Sequence, residues 1–240
     1  MKNRNAYEGI EVENLFKDSI IKQTEIIKKL QNHFSIKSDL DNIIVVGTKG
    51  KKADVKMNFK CGQQIDVSVK SFKIAFNQMT RATVSNFCNK FGLSEDYCEE
   101  LEGFVVEKSK KSGNDLFPQE SRVKWGKVFS DKTKEIVKWG FSNNSKREIF
   151  VLYDKKTSIM RIYLMEDVLK NITTNITFTR GGINIGDCLS FQRKGGDGSS
   201  SKKHHRNSIQ HPGNNIQLKI KANKFIKEFS GKELAEYKPH

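Results

Sequence analysis

Hydrophobic side chains recur at helical spacing early in the chain. Val12, Phe16, Ile20, Ile27 and Leu30 share one face, which predicts a single long amphipathic helix over residues 8–34. Glu8 falls on or near that face in its first turn, where a carboxylate is either a solvated helix end or a group aimed into a site. The short apolar run DNIIVV follows and gives way to a basic loop, TKGKK. ADVKMNF and QIDVSVKSF then alternate at every second position and predict two strands joined by a tight CGQQ turn. Residues 77–91 predict a second helix with Asn77 as its cap. SEDYCEELEGFVVEKS predicts a third, opened by Ser94 and an acidic first turn. After the break KKSGND, the stretch GKVFSDKTKEIVKWGFS predicts a fourth helix, ended by SNNSKR.

Beyond residue 147 the pattern becomes strand-rich. EIFVLYD and SIMRIYL predict a hairpin around Lys155 and Lys156, MEDVLKNI a short helix, and NITFTR, INIGDCLSFQRK and NNIQLKIK further strands. Between the last two lies GGDGSSSKKHHRNSIQHPGNN, whose composition fits a disordered basic loop. The order of elements implies an α/β fold.

Charge sharpens the picture. Lys and Arg number 43 against 28 Asp and Glu, a formal net charge of +15. Such an excess attracts polyanions, nucleic acid or an anionic membrane surface. No apolar run approaches the ~18 residues of a membrane span, and the N-terminus lacks the apolar core of a signal peptide. A cytoplasmic protein is therefore expected. The cysteines, at positions 61, 88, 98 and 188, form no Cys-x-x-Cys pair, so neither structural zinc nor a disulfide framework is expected.

Chemistry concentrates in the first predicted hairpin. Side chains alternate faces along a strand, so Asp66, Ser68 and Lys70 share one face and Ile65, Val67 and Val69 the other. Asp54 opens the neighbouring strand and can approach Ser68 and Lys70. An acid on one strand and a lysine on the next form the skeleton of a PD-(D/E)xK nuclease site. There the acid holds a divalent metal that generates hydroxide, and the lysine attends the attacking water and the phosphate. Ser68 stands where a second carboxylate is usual and is a poor metal ligand. A surface hairpin with polar residues facing water fits the same alternation.

Longer segments carry a resemblance. RGGINIGDCLSFQRKGGD followed by NNIQLKIKANKFI, and KADVKMNF followed by VSVKSFKIAFNQ, resemble Type II restriction endonucleases of the PD-(D/E)xK superfamily. The similarity is to the HinP-type (GCGC) and MspI-type (CCGG) enzymes, over roughly residues 45–80 and 178–225. It implies a restriction-endonuclease-like core, a central mixed sheet flanked by helices, within one domain over 1–240. Residues 1–110 would be the catalytic core, 111–147 a helical middle and 148–240 the part that recognises DNA.

The resemblance also implies site roles. Asp54 matches the metal-binding acid and Lys70 the catalytic lysine; Ser68 takes the place of an amide in the relatives. The carbonyl of Val69 would be a further metal ligand, Glu8 a helical glutamate beside the site, and Asp66 an alternative second acid. DNA contacts would come from Phe76, Asn77 and Gln78, from Arg180, and from Gln192, Arg193 and Lys194 as base readers or phosphate contacts. Lys202, Lys203 and Arg206 would bind phosphates. The implied cofactor is Mg²⁺ and the partner double-stranded DNA, with a monomer or weak homodimer and a cognate methyltransferase in the cell. The implied activity is cleavage at a short GC-rich palindrome, GCGC before CCGG, leaving 5′ overhangs. A DNA-binding protein with a decayed nuclease site, and a nicking or repair nuclease, are the alternatives.

Overall fold

A computed structural model describes residues 4–46, 54–73, 76–111, 113–196 and 203–239. The predicted basic loop TKGKK and Lys202 lie outside the described residues, as does the side chain of Phe76. The chain forms two compact units, each discontinuous in sequence. The first comprises residues 1–77, 141–171 and 229–240, and the second 78–140 and 172–228. Elements are numbered along the chain.

The first unit holds a six-stranded sheet in the order β1-β2-β3-β5-β6-β11. Its strands are β1 (Leu40–Val45), β2 (Val55–Phe59), β3 (Gln64–Phe72), β5 (Glu148–Asp154), β6 (Ile159–Leu164) and β11 (Ala235–Tyr237). β3 and β5 run parallel, while β1–β2, β2–β3, β5–β6 and β6–β11 are antiparallel. The mixed sheet flanked by helices that the sequence implied is thus borne out. The predicted hairpins at β2–β3 and β5–β6 are both present.

The long N-terminal helix is two helices, α1 (Arg4–Ile20) and α2 (Thr24–His33). A continuous helix would put Gln23 and Thr24 on the apolar face between Ile20 and Ile27, where nothing would hold them to the core. The chain turns instead, with Lys22 N–H bonding Ser19 O at 3.2 Å and Gln23 N–H bonding Ile20 O at 2.9 Å. Both segments then bury their apolar residues. Phe16, Ile20 and Leu30 pack in one core cluster with Val55, Met57, Ile65, Val67, Ile149 and Val151. On the opposite face of β5 the Phe150 ring meets Phe141 at 5.2 Å, and α6 (Met165–Asn171) buries Met165 and Val168. β3 is therefore buried along most of its length on both faces, as a strand beside a parallel neighbour usually is.

The second unit holds a sheet in the order β4-β10-β9-β8-β7, with β4 at Phe76–Ala82, β7 at Ile176–Thr179, β8 at Gly182–Ile185, β9 at Leu189–Arg193 and β10 at Ile216–Lys221. Its helices are α3 (Val84–Phe91), α4 (Glu95–Lys110), α7 (Ala222–Glu228) and most of α5 (Arg122–Phe141). Three expectations are corrected here. Residues 77–91 are not one helix: 76–82 is a strand, and the helix starts after Thr83, whose side chain caps it by accepting from Asn86 N–H at 3.2 Å. The helical stripe, Val84, Phe87, Cys88 and Phe91, is confined to the second half. Asn77 is consequently a strand residue and not a cap.

The predicted strand 183–194 is two strands, because the chain turns at Gly186 with φ 55°. A Cβ there would lie 2.5 Å from Thr173 O. The predicted disordered loop is folded over its described residues 203–214, which carry turns and a 3₁₀ segment, Pro212–Asn214. Phe87, Phe129 and Phe191 form the unit's aromatic centre, with Phe129 and Phe191 centroids 4.8 Å apart. No helix among the described residues is long and apolar enough to cross a membrane.

The Thr83 cap marks the boundary between β4 and α3. Thr83→Ala should lower unfolding stability by about 1 kcal/mol. Urea denaturation should show a lower midpoint at unchanged slope.

Candidate active site

Asp54 stands immediately before β2, and its backbone is tied into the sheet. Its N–H bonds Val67 O and its carbonyl accepts from Val46 N–H, both at 2.9 Å. This directs the carboxylate across to β3. Asp54 Oδ2 accepts from Lys70 Nζ at 2.7 Å, from Val69 N–H at 2.8 Å and from Ser68 Oγ at 3.4 Å. Lys70 Nζ also donates to Val69 O at 3.0 Å. The Lys70 and Asp54 side chains are 18% and 19% exposed. The structure therefore brings together Asp54, Ser68, Val69 and Lys70. Ile65, Val67 and Val69 point into the core cluster, as alternation requires.

A further acid belongs to this neighbourhood. Glu13, on α1, has a buried Oε2 with no hydrogen-bond partner. Burial pushes its carboxyl up from 4.5 to about 7; the negative charge of Asp54 adds to the rise, and Lys70 opposes it. Glu13 was not singled out in the sequence. The available signal was its position three residues before Phe16, at the rim of the apolar stripe.

Glu8, the helical glutamate implied by the resemblance, pairs with Lys155 Nζ at 3.1 Å. Asp66 is buried, with Oδ1 bonded by Gln64 Nε2 and Oδ2 by Asn143 Nδ2 at 2.9 Å. Both its oxygens are thus engaged by neutral amides. Asn77 Nδ2 donates to Ser71 O, and Gln78 is exposed.

In the second unit, Gln192 and Arg193 end β9. Gln192 Oε1 accepts from Ser190 Oγ at 3.4 Å, and Arg193 Nε donates to Asn214 Oδ1 at 2.7 Å. Lys194 Nζ reaches Gly195 O at 3.4 Å. Arg180, Lys203 and Arg206 are exposed. Burial and then the charge of Arg206 lower the Arg193 pKa. Burial also lowers that of Lys108, Asp115 opposes the change, and Arg180 and Arg193 add to it. Lys108, on α4, is thus an unforeseen member of a cationic group with Arg180, Arg193 and Arg206.

Among the described residues no three His, Cys, Asp or Glu side chains are grouped to hold a metal ion. The Asp54 neighbourhood offers two carboxylates, a backbone carbonyl and a hydroxyl, an all-oxygen set of the type that hard divalent cations take.

Comparisons by sequence find no matching family model and no matching curated protein. Comparison of folds finds similarity to the crystal structure of the restriction endonuclease MspI in complex with its cognate DNA. The TM-score is 0.46 and the identity 12%, over 88% of this chain and 83% of that one. A likeness of this size transfers no residue role.

Glu13 makes stability depend on pH. The unfolded chain gives up this proton near 4.5, whereas the folded, metal-free protein holds it to about 7. Between those values the folded state binds more protons, so stability falls as pH rises and then levels off. For a half-solvated group the loss should be about 1 kcal/mol after screening. Urea unfolding at about pH 5 and about pH 8 should show that loss in the native chain and its absence in Glu13→Gln.

Proposed function

We propose that the protein is a Mg²⁺-dependent DNA endonuclease, a Type II restriction enzyme of the PD-(D/E)xK kind. It hydrolyses phosphodiesters of double-stranded DNA at a short GC-rich palindrome, GCGC first and CCGG second, leaving 5′ overhangs. The observation that carries this reading is the Asp54–Lys70 pair, 2.7 Å apart on adjoining strands with the Val69 carbonyl 3.0 Å from the same ammonium.

The residues fit the metal. Lys70 Nζ binds two of the oxygens, Asp54 Oδ2 and Val69 O, that would ligate a cation. The unpartnered Glu13 Oε2 supplies another. Mg²⁺ held there would supply charge neutralisation at the phosphate and activation of a water. A cation at these oxygens would compete with Lys70 for Asp54, and the Lys70 ammonium would be placed to orient a water and to stabilise charge on the phosphate in the transition state. As the water oxygen attacks phosphorus and the opposite P–O bond breaks, the water's proton would pass to solvent. Ser68 adds a hydroxyl 3.4 Å from Asp54 that would help to hold the cation.

Sequence reading falls to Gln192, Arg193 and Lys194, with Asn77 and Gln78 as further contacts and Arg180, Lys203 and Arg206 on phosphates. The net charge of +15 suits a nucleic-acid partner.

Ser68 in place of a carboxylate favours one other reading, a sequence-specific DNA-binding protein that no longer cuts. Digestion of plasmid DNA separates the two. Discrete fragments should form in Mg²⁺ and not in chelator, and sequencing of their ends gives the site. Asp54→Asn and Lys70→Ala should each lower cutting by ~10²-fold or more while retaining binding in Ca²⁺. Full activity in Lys70→Ala would overturn the assigned site; specific binding without cleavage in the native chain would favour the second reading. Nicks in only one strand would mark a nicking or repair enzyme.

A further inference from the structure

We propose that Asn214 is the positioning residue for Arg193: it grips the Nε edge so that the forked Nη edge is presented to one acceptor pair, the O6/N7 edge of a guanine. The identity of that ligand rests on the DNA-reading function proposed above; the grip itself does not.

Asn214 is 1% exposed, and each polar atom of its side chain has a partner. Nδ2 donates to Arg206 O at 2.8 Å and to Ser208 O at 2.6 Å, and Oδ1 accepts from Arg193 Nε at 2.7 Å. Two carbonyls can only accept, and Arg193 Nε can only donate. The amide therefore has one allowed orientation, and its oxygen must face the guanidinium.

The backbone around it is stitched to the end of β9. Lys194 N–H bonds Asn215 O at 2.7 Å, Gly195 N–H bonds Gly213 O at 2.9 Å, and Asn214 N–H bonds His211 O at 2.8 Å. Buried His211 accepts from Gly213 N–H through Nδ1 at 3.0 Å. A Cβ at position 213 would come within 2.6 Å of Gly196 O, so this crossing needs a glycine. The segment 203–214 thus acts on recognition through its backbone carbonyls, which hold the residue that holds Arg193.

Arg193 is half-buried, and among the described residues no carboxylate pairs with it. Its charged neighbours are Arg206 and Lys108. A desolvated cation among like charges carries an unfavourable energy that a ligand would relieve. With Nε occupied, the two remaining NH₂ groups form a planar fork that matches paired acceptors. Exposed Lys203 and Arg206 are free to follow phosphates, whereas Arg193 has a set direction, which is what base reading requires.

Two measurements test this. By NMR the Arg193 Nε–H should be protected in the native chain and exchange with water roughly tenfold faster in Asn214→Ala, since a hydrogen-bonded donor is shielded. Equilibrium binding in Ca²⁺ should compare the preferred duplex with an AT-only duplex. Asn214→Ala and Arg193→Ala should each reduce the preference roughly tenfold or more. The double variant should be no worse than Arg193→Ala alone, and the salt slope should be unchanged. Asn214→Asp keeps an acceptor for Nε but loses both donors to the carbonyls, and where it folds it should retain more preference than the alanine variant; should the variants fail to fold, an unprotected Arg193 Nε–H in the native chain would overturn the proposal. Unchanged Nε–H exchange, or additive losses in the double variant, would overturn the proposal. Equal loss on both duplexes with a shallower salt slope would make Arg193 a phosphate contact and overturn the guanine assignment. A protected Nε–H that depends on Asn214, in a chain with no DNA preference, would leave the grip standing and sink the DNA-reading function.

Discussion

One carboxylate oxygen organises the six-stranded sheet of the first unit. Asp54 Oδ2 receives an ammonium, an amide and a hydroxyl, all from three consecutive residues of β3. Charges at one-fifth exposure are costly unless paired and hydrogen-bonded, so the β2–β3 register has little freedom. A slip of one residue along β3 would carry Lys70 to the other face and put Val67 and Val69 out of the core. The same register gives β3 its parallel partner β5 and the apolar surface on which α1 lies. The Lys70 ammonium thus bridges two oxygens, Asp54 Oδ2 and Val69 O.

Much of this was legible because it rests on strand alternation. ADVKMNF and QIDVSVKSF place Asp54, Ser68 and Lys70 by periodicity alone, and β5, β6, α4 and α6 announce themselves by unbroken patterns. Other elements failed for identifiable reasons. A period spanning Gln23 and Thr24 read as continuous because Ile20 and Ile27 are two helical turns apart, and the polar residues between them went unweighted. The segment 77–91 mixes a strand with a short helix, and the helical stripe of its second half was extended over the first. Glu13 was hidden because the face of a helix says little about which bordering acid is short of partners; that depends on the strands beneath. The 203–214 segment reads as low-complexity, yet a single asparagine with every polar atom bonded gives it a fold. Composition cannot reveal a hydrogen-bond network.

Glu13 and Arg193 show one physical theme in opposite signs. Each is an ionisable group taken partly out of water, Glu13 with an orphaned oxygen and Arg193 with no acid paired to it among the described residues. Asp66 and Glu148 are the counterexamples. They are more deeply buried acids, and their oxygens are bonded by Gln64, Asn143, Ser142 and Ser145. Burial with and without a full set of partners thus distinguishes residues of the same type.

The interleaving of the two units has a consequence for how the chain is made. β3 and β5 are paired in parallel from Asp66↔Glu148 to Phe72↔Asp154, yet all of residues 78–140 intervene between them and belong to the other unit. A ribosome therefore delivers β3 well before its partner, and one edge of this strand waits unpaired while residues 78–140 emerge. Closing so long a loop is entropically slow. An apolar strand with an open edge is the usual starting point for aggregation. A strand that is largely buried in the finished fold is thus the one most in need of protection by chaperones during synthesis.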